Sequence, residues 1–238
     1  STGGEEAGAG AARISTTSGD ALELFEKARG NSRNQELIGK VLRSGHRSVI
    51  EHAVFSIAMQ NVSVYVEQYF IECRLASFTV KSRRYVDFSG LGYYIPPALS
   101  GTDLEDYRRY MDGLFAAYQK LLEADVPKED ARFVLPYAFC SNFYCTLNAR
   151  ELVSLIRSIR FGRGRGIPEL CAIADQLADQ LAELFPALRP ELAAPTEEAP
   201  LPAEPAPLFQ DAPVWVPASE AGAVELLAAP VNPGKLLE

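Results

Sequence analysis

Between Ala53 and Leu75 the hydrophobic period of the chain changes, and this change constrains the fold more than any other feature. Over Ala53–Val62 apolar and polar residues alternate, with Phe55, Ile57 and Met59 on one side, the pattern of a half-buried strand. Ser63 then stands where it can cap a helix from Val64 to about Leu75. The same reasoning extends along the chain. Leu22 to Ala28 has the spacing of a short helix, and Ser32 to Arg43 places Leu37, Ile38, Val41 and Leu42 on one face before Gly45. From Asp103 onward, Leu104, Tyr107, Met111, Leu114, Tyr118 and Leu121 form one stripe behind a Thr102–Glu105 capping box, a stripe that is either core or subunit interface. Pro127 starts a short helix that Pro136 disturbs, and Phe139 to Leu147 reads as a strand. Asn148 with Glu151 caps a helix running to Arg160, and Pro168 opens a last one to Phe185.

Composition bounds the domain. The first eleven residues, rich in Gly, Ala and Ser, are expected to be disordered, with a strand entered over Ala12–Ile14. Eight prolines mixed with Ala and Glu lie from Pro190 to Pro217, so 190–238 reads as an extended tail without a core. Trp215, Val216 and Leu226 in that tail either dock on a neighbour or hang free. Residues 12–189 remain as one domain, globular in composition at 47% hydrophobic and 23% charged. No apolar run is long enough for a bilayer and the N-terminus is not a signal peptide, so a soluble cytoplasmic protein is expected, without membrane contact. A formal charge of -8 argues against nucleic-acid binding. Cys73, Cys140, Cys145 and Cys171 show neither metal-ligand nor disulfide spacing and read as small core residues.

The segment Gln68–Val86 concentrates candidate chemistry. It begins amphipathic, turns basic around Ser77 and Ser82, and ends in a short β-like run. Ser82, Arg83 and Arg84 offer a hydroxyl and two guanidinium forks, groups matched to a phosphate; a surface turn with solvated arginines is the alternative. The run Phe161-Gly162-Arg163-Gly164-Arg165-Gly166 breaks the helix before it and reads as a flexible basic turn rather than an anion cradle, because no strand precedes it.

Four blocks carry a family resemblance. Glu72-Cys73-Arg74, seven residues, then Ser82-Arg83-Arg84-Tyr85 resembles the signature of the flavin-dependent thymidylate synthases (the ThyX family): Arg-His-Arg, seven residues, Ser, closing with Arg-Tyr. Gly45-His46-Arg47-Ser48-Val49-Ile50-Glu51-His52 is similar to the family's Gly-His-x-Ser/Thr-x-x-Glu-His element. Val126 to Pro136 and Leu147-Asn148-Ala149-Arg150-Glu151-Leu152 match two further blocks, in order.

The resemblance implies an α+β fold with a mostly antiparallel central sheet and long helices, assembled as a homotetramer with active sites between subunits. It implies FAD as cofactor, methylenetetrahydrofolate and NADPH as co-substrates, and UMP or dUMP as the nucleotide methylated at C5. By position, Ser82, Arg83, Arg84 and Arg132 would hold the nucleotide, chiefly its phosphate, and Tyr69 stands where the family has Gln. Arg160, or Arg157 one turn earlier, would grip the uracil edge and stabilise the charge that develops there. His46, Ser48, Arg74, Asn148, Arg150 and Ser154 match flavin-side positions, as does Cys73 within the signature. The departures are as specific. Glu72-Cys73 replaces Arg-His, Thr79 and Val80 replace Asn and Glu, and Arg165 to Glu169 replaces His-Ala-Gln-x-Glu. Either the pocket is remade, as in the UMP/dUMP methylases of nucleoside-antibiotic pathways, or the chain is a non-catalytic relative that binds nucleotide or flavin or serves in assembly. Cys73 as a nucleophile or redox thiol is a further alternative.

Overall fold

The structure, a computed structural model, describes residues 3–195. Nine helices are present among them: α1 (Gly4–Thr16), α2 (Ala21–Glu26), α3 (Asn34–Arg43), α4 (Val64–Ile71), α5 (Gly101–Glu123), α6 (Lys128–Ala131), α7 (Ala149–Phe161), α8 (Pro168–Leu184) and α9 (Arg189–Leu192), with a 3-10 turn at Ser48–His52. Three strands, β1 (Val54–Ser63), β2 (Ala76–Val80) and β3 (Cys140–Asn148), make one antiparallel sheet in the order β1-β3-β2. Phe55 pairs with Leu147 and Met59 with Phe143, all four buried, whereas Ser56, Ala58 and Tyr144 on the alternate positions are exposed. One face of the sheet therefore builds the core, as the period of two predicts. These elements form the expected α+β fold.

The N-terminal expectation is corrected. Residues 4–11, expected to be disordered, and the strand expected over Ala12–Ile14 lie within α1. The Gly/Ala-rich composition has a packing cause: Ala9 and Ala12 are fully buried, and a Cβ on Gly8 would stand 3.3 Å from the Val49 carbonyl. Small residues let the helix lie flush on the Ser48–His52 turn, so the run that looks featureless is selected by close approach. At the other end, Leu192 of α9 is buried, which carries the folded unit past the boundary expected at 190. From residue 196 on, the expected tail lies outside the described residues.

Helix caps explain where the site elements begin. Ser63 Oγ accepts from Val66 N–H at 3.3 Å, and the Glu169 carboxylate of α8 accepts both from Ser63 N–H (2.7 Å) and from its hydroxyl (2.6 Å). The acid that completes this cap thus comes from a distant helix. Asn148 Oδ1 accepts from Glu151 N–H at 3.0 Å and starts α7. α4 stops at Ile71, earlier than expected, because β2 pairs with β3 from Ala76. The Thr102–Glu105 capping box is absent: α5 begins at Gly101 behind Ser100 with no side-chain cap bond. Along its 23 residues only Tyr118 is buried, and it packs with Val64, Phe88, Ala131 and Phe139 in a cluster of their own.

Candidate functional site

Beyond β2 the ladder continues for one bond, Lys81 N–H to Asn142 O at 3.0 Å, and the chain then turns. Ser82 Oγ accepts from Arg84 N–H at 3.2 Å. Arg84 Nε lies 3.2 Å from Glu129 Oε2, and Arg132 Nε donates to the Glu129 carbonyl at 2.8 Å. The turn thereby meets the Pro127–Val134 region, distant in sequence, through the Arg84–Glu129 pair, while Arg132 holds the backbone of that same residue. Arg83 does not join them. Its guanidinium is turned inward onto Glu67 Oε1 at 2.5 Å and lies 5.2 Å over the Phe139 ring. Glu67 is 1% exposed, and its second carboxylate oxygen is buried without a partner among the described residues. A buried carboxylate requires a cation, and Arg83 is the residue that meets this need.

A second group forms where the Ser48–His52 turn meets the start of α7. His46 and Ser48 line a cavity of about 420 Å³ together with Ser15, Thr16 and His52. Arg150 Nη1 donates to Glu51 Oε1 at 2.5 Å, and Ala149 N–H to the Ala53 carbonyl at 2.8 Å, which ties the turn to the helix. Ser154 lies exposed one turn beyond Arg150. Arg74 is exposed in the connection between α4 and β2.

The third group joins the end of α4 to α7. Tyr69 is 7% exposed and its hydroxyl is bonded to Ser158 Oγ at 2.9 Å. Cys73 Sγ donates to Glu151 Oε2 at 3.7 Å; burial, then the charge and acceptor of Glu151, push this thiol up from its ordinary range. A raised thiol is protonated at neutral pH, which argues against the nucleophile reading of Cys73. Arg157 Nη1 donates to the carbonyls of Glu191 (2.9 Å) and Ala193 (2.8 Å). Arg160 donates through Nε to Asp175 (2.9 Å) and through Nη1 to the Leu192 carbonyl (3.3 Å). Both arginines expected at the uracil edge thus also hold the segment that follows α8. A separate cavity of about 640 Å³ between β1, α8 and Tyr94–Pro97 contains none of these residues.

Sequence reasoning missed the partners of the carboxylates. Glu67, Glu129 and Glu151 each engage a residue singled out from the motifs, and Glu72 pairs with Arg163. Hydrogen bonding by the Glu72 carboxylate raises the Arg163 guanidinium further above its ordinary value. The turn carrying Arg163 is a hydrogen-bonded reversal rather than a flexible link, with Arg165 N–H on the Gly162 carbonyl at 3.0 Å and Gly164 buried. The alternation of Gly and Arg was the available signal.

Residues 1–187 match the family model of the thymidylate synthase complementing protein. The flavin-dependent thymidylate synthase of Geobacter sulfurreducens is 36% identical over 153 residues, 63% of this chain and 66% of the relative. That of Nitratidesulfovibrio vulgaris is 36% identical over 161 residues, 63% of this chain and 65% of the relative. The chain thus spans just under two thirds of the length of these relatives. Among solved structures, the UMP/dUMP methylase PolB from Streptomyces cacaoi bound with 5-Br dUMP superposes with a TM-score of 0.65 at 25% identity, covering 79% of this chain and 89% of that one. With the family model spanning residues 1–187 and the signature elements seated on the matching fold, this chain belongs to the thymidylate synthase complementing protein family, that of the flavin-dependent thymidylate synthases.

Proposed function

We propose that this chain is a flavin-dependent enzyme that methylates C5 of a uracil nucleotide, UMP or dUMP, for nucleoside biosynthesis. The observation that carries the reading is the Arg84–Glu129 pair, which joins the turn capped by Ser82 to the Pro127–Val134 region that carries Arg132. With its pair exposed on both sides, the Arg84 guanidinium can exchange the Glu129 carboxylate for a phosphate, with the Ser82 hydroxyl in the same turn. Arg160 keeps Nη2 without a bond among the described residues and is the proposed group for the uracil edge, where a guanidinium stabilises negative charge developing toward C5.

The donors of the second group fit FAD. Hydroxyls from Ser48 and Ser154, the His46 imidazole, the Asn148 amide and the Arg74 and Arg150 guanidinium groups supply the hydrogen bonds and positive charge that phosphates and a flavin ring edge require, with the cavity beside His46 open to solvent. The flavin supplies hydride transfer, with methylenetetrahydrofolate as one-carbon donor and NADPH as reductant. The likeness to PolB supports a uracil nucleotide over other pyrimidines. A homotetramer in the cytoplasm is part of the proposal, and it is supported by α5, on which Tyr110 is 64% and Leu114 37% exposed. No helix among the described residues is long and apolar enough to cross a membrane.

Mass spectrometry of UMP and dUMP after incubation with the protein, FAD, NADPH and methylenetetrahydrofolate tests the reading. A product heavier by one methyl group is expected, and the ratio between nucleotides names the substrate. Nucleotide binding without product would replace the enzyme by the binding-only relative.

A further inference from the structure

Arg83 stands between Ser82 and Arg84, the two residues of its turn assigned above to the phosphate, and its side chain goes the other way. Its guanidinium meets Glu67 Oε1 at 2.5 Å, on a carboxylate that is 1% exposed and whose Oε2 has no partner among the described residues. An ion pair this deep gains little for folding over two apolar side chains of similar volume, because desolvation offsets the attraction. What it fixes is direction.

The contacts around the pair show what is held. Lys81 N–H to the Asn142 carbonyl at 3.0 Å ends the β2 ladder, and Val86 N–H returns to the Ser82 carbonyl at 3.0 Å, so the backbone is tied on both sides of Arg83. Val64 N–H donates to the Phe139 carbonyl at 3.0 Å, and Glu67 lies one turn further along α4. The Arg83 guanidinium carbon then lies 5.2 Å from the centre of the Phe139 ring. Phe139 packs in the same buried cluster as Ala131, the neighbour of Arg132. A single guanidinium thus links α4, the Ser82–Arg84 turn and the cluster beneath the Glu129–Arg132 segment, across which Arg84 reaches Glu129.

We infer that the buried Glu67–Arg83 pair is the positioning element of the proposed phosphate site. The inference rests on that reading of Ser82 and Arg84, and the pair acts on the ligand only through them. A carboxylate at one edge and an aromatic face beneath hold the Arg83 fork in one plane, which sets the orientation of the peptide units on either side. The Arg84 fork takes a phosphate through paired bonds, a match that is lost when the backbone carrying it rotates. Apolar side chains at 67 and 83 would fill the same space without choosing that orientation.

Calorimetric titration of the full chain with UMP, beside urea unfolding, tests this. E67M/R83M exchanges the pair for apolar side chains and is expected to unfold at or above the wild-type urea midpoint. It should nevertheless weaken UMP binding by about ten- to one-hundred-fold, the worth of the Arg84 contact, and E67Q, which keeps the shape of Glu67 without its charge, should weaken it in the same direction. Because the effect passes through Arg84, adding either change to R84A should leave the affinity of R84A unchanged within about twofold. The inference is overturned if either variant, folded, binds UMP within about twofold of wild type while R84A is impaired, or if its loss adds in full to that of R84A. If R84A itself binds as tightly as wild type, the phosphate reading falls, and the inference with it.

Discussion

The turn at Ser82–Arg84 and the turn at Gly162–Gly166 both hold an arginine against a carboxylate from another element, Arg84 on Glu129 and Arg163 on Glu72. They reach that state by opposite means. In the first turn a buried ion pair is the anchor: Arg83 goes inward to Glu67 and so leaves Arg84, the next residue, on the outside. In the second the anchor is the lack of a side chain, since Gly164 admits a reversal that a Cβ would block. Adjacent arginines of the same type thus serve different ends, and the difference is set by what each finds within reach.

The comparison predicts distinct ways of breaking each turn. Glu67→Ala leaves the Arg83 guanidinium, 19% exposed, without its partner and should cost about 3 to 5 kcal/mol in urea unfolding. Removing Glu72 from its exposed pair should cost less than about 1 kcal/mol, and equal losses would erase the distinction. Arg84→Ala should leave folding nearly unchanged but weaken UMP binding by about 1.5 to 3 kcal/mol in calorimetry; intact affinity would remove this turn from the phosphate site. Gly164→Ala forces the α7–α8 reversal apart and should destabilise by about 1 to 3 kcal/mol in urea unfolding.

The smallest effect concerns Cys73, one residue beyond Glu72. Burial and Glu151 hold its pKa above the ordinary 9.0, so alkylation by iodoacetamide should be slow at pH 8 and rise only through more alkaline pH. Glu151→Gln removes the charge and should move that rise to lower pH. A rate at pH 8 equal to that of free cysteine would refute the assignment. Cys145 behaves alike in stability. Its thiol is pushed up to about 11 by burial first and Cys73 second, so the folded chain keeps a proton that the unfolded chain releases from about pH 9. Its contribution is complete below that pH and is lost as pH rises toward 11.

Much of the architecture was legible because local patterns and tertiary packing agree. The alternation over Ala53–Val62, the Ser63 and Asn148 caps and the apolar stripe of α8 each name an element that the structure contains. Motif spacing marked Ser82, Arg84 and Arg132, and the structure joins their two segments through Arg84 and Glu129. α1 was not legible, because Gly and Ala are weak local signals whose meaning depends on a surface packed against them. Arg83 misled for a related reason, since nothing in its neighbours announces Glu67 as a buried acid.

The sequence by itself determined the periods, the caps at Ser63 and Asn148, the family and the set of arginines from which the proposed nucleotide site is drawn, because these depend on residue type and spacing along the chain. Only the tertiary structure decided which arginine faces inward, which carboxylate each one meets, and that Arg163 returns over Tyr69. Charge pairing and close packing act across space, between Glu67 and Arg83 or Gly164 and Ile159, and distance in three dimensions selects among partners that the linear order leaves equivalent.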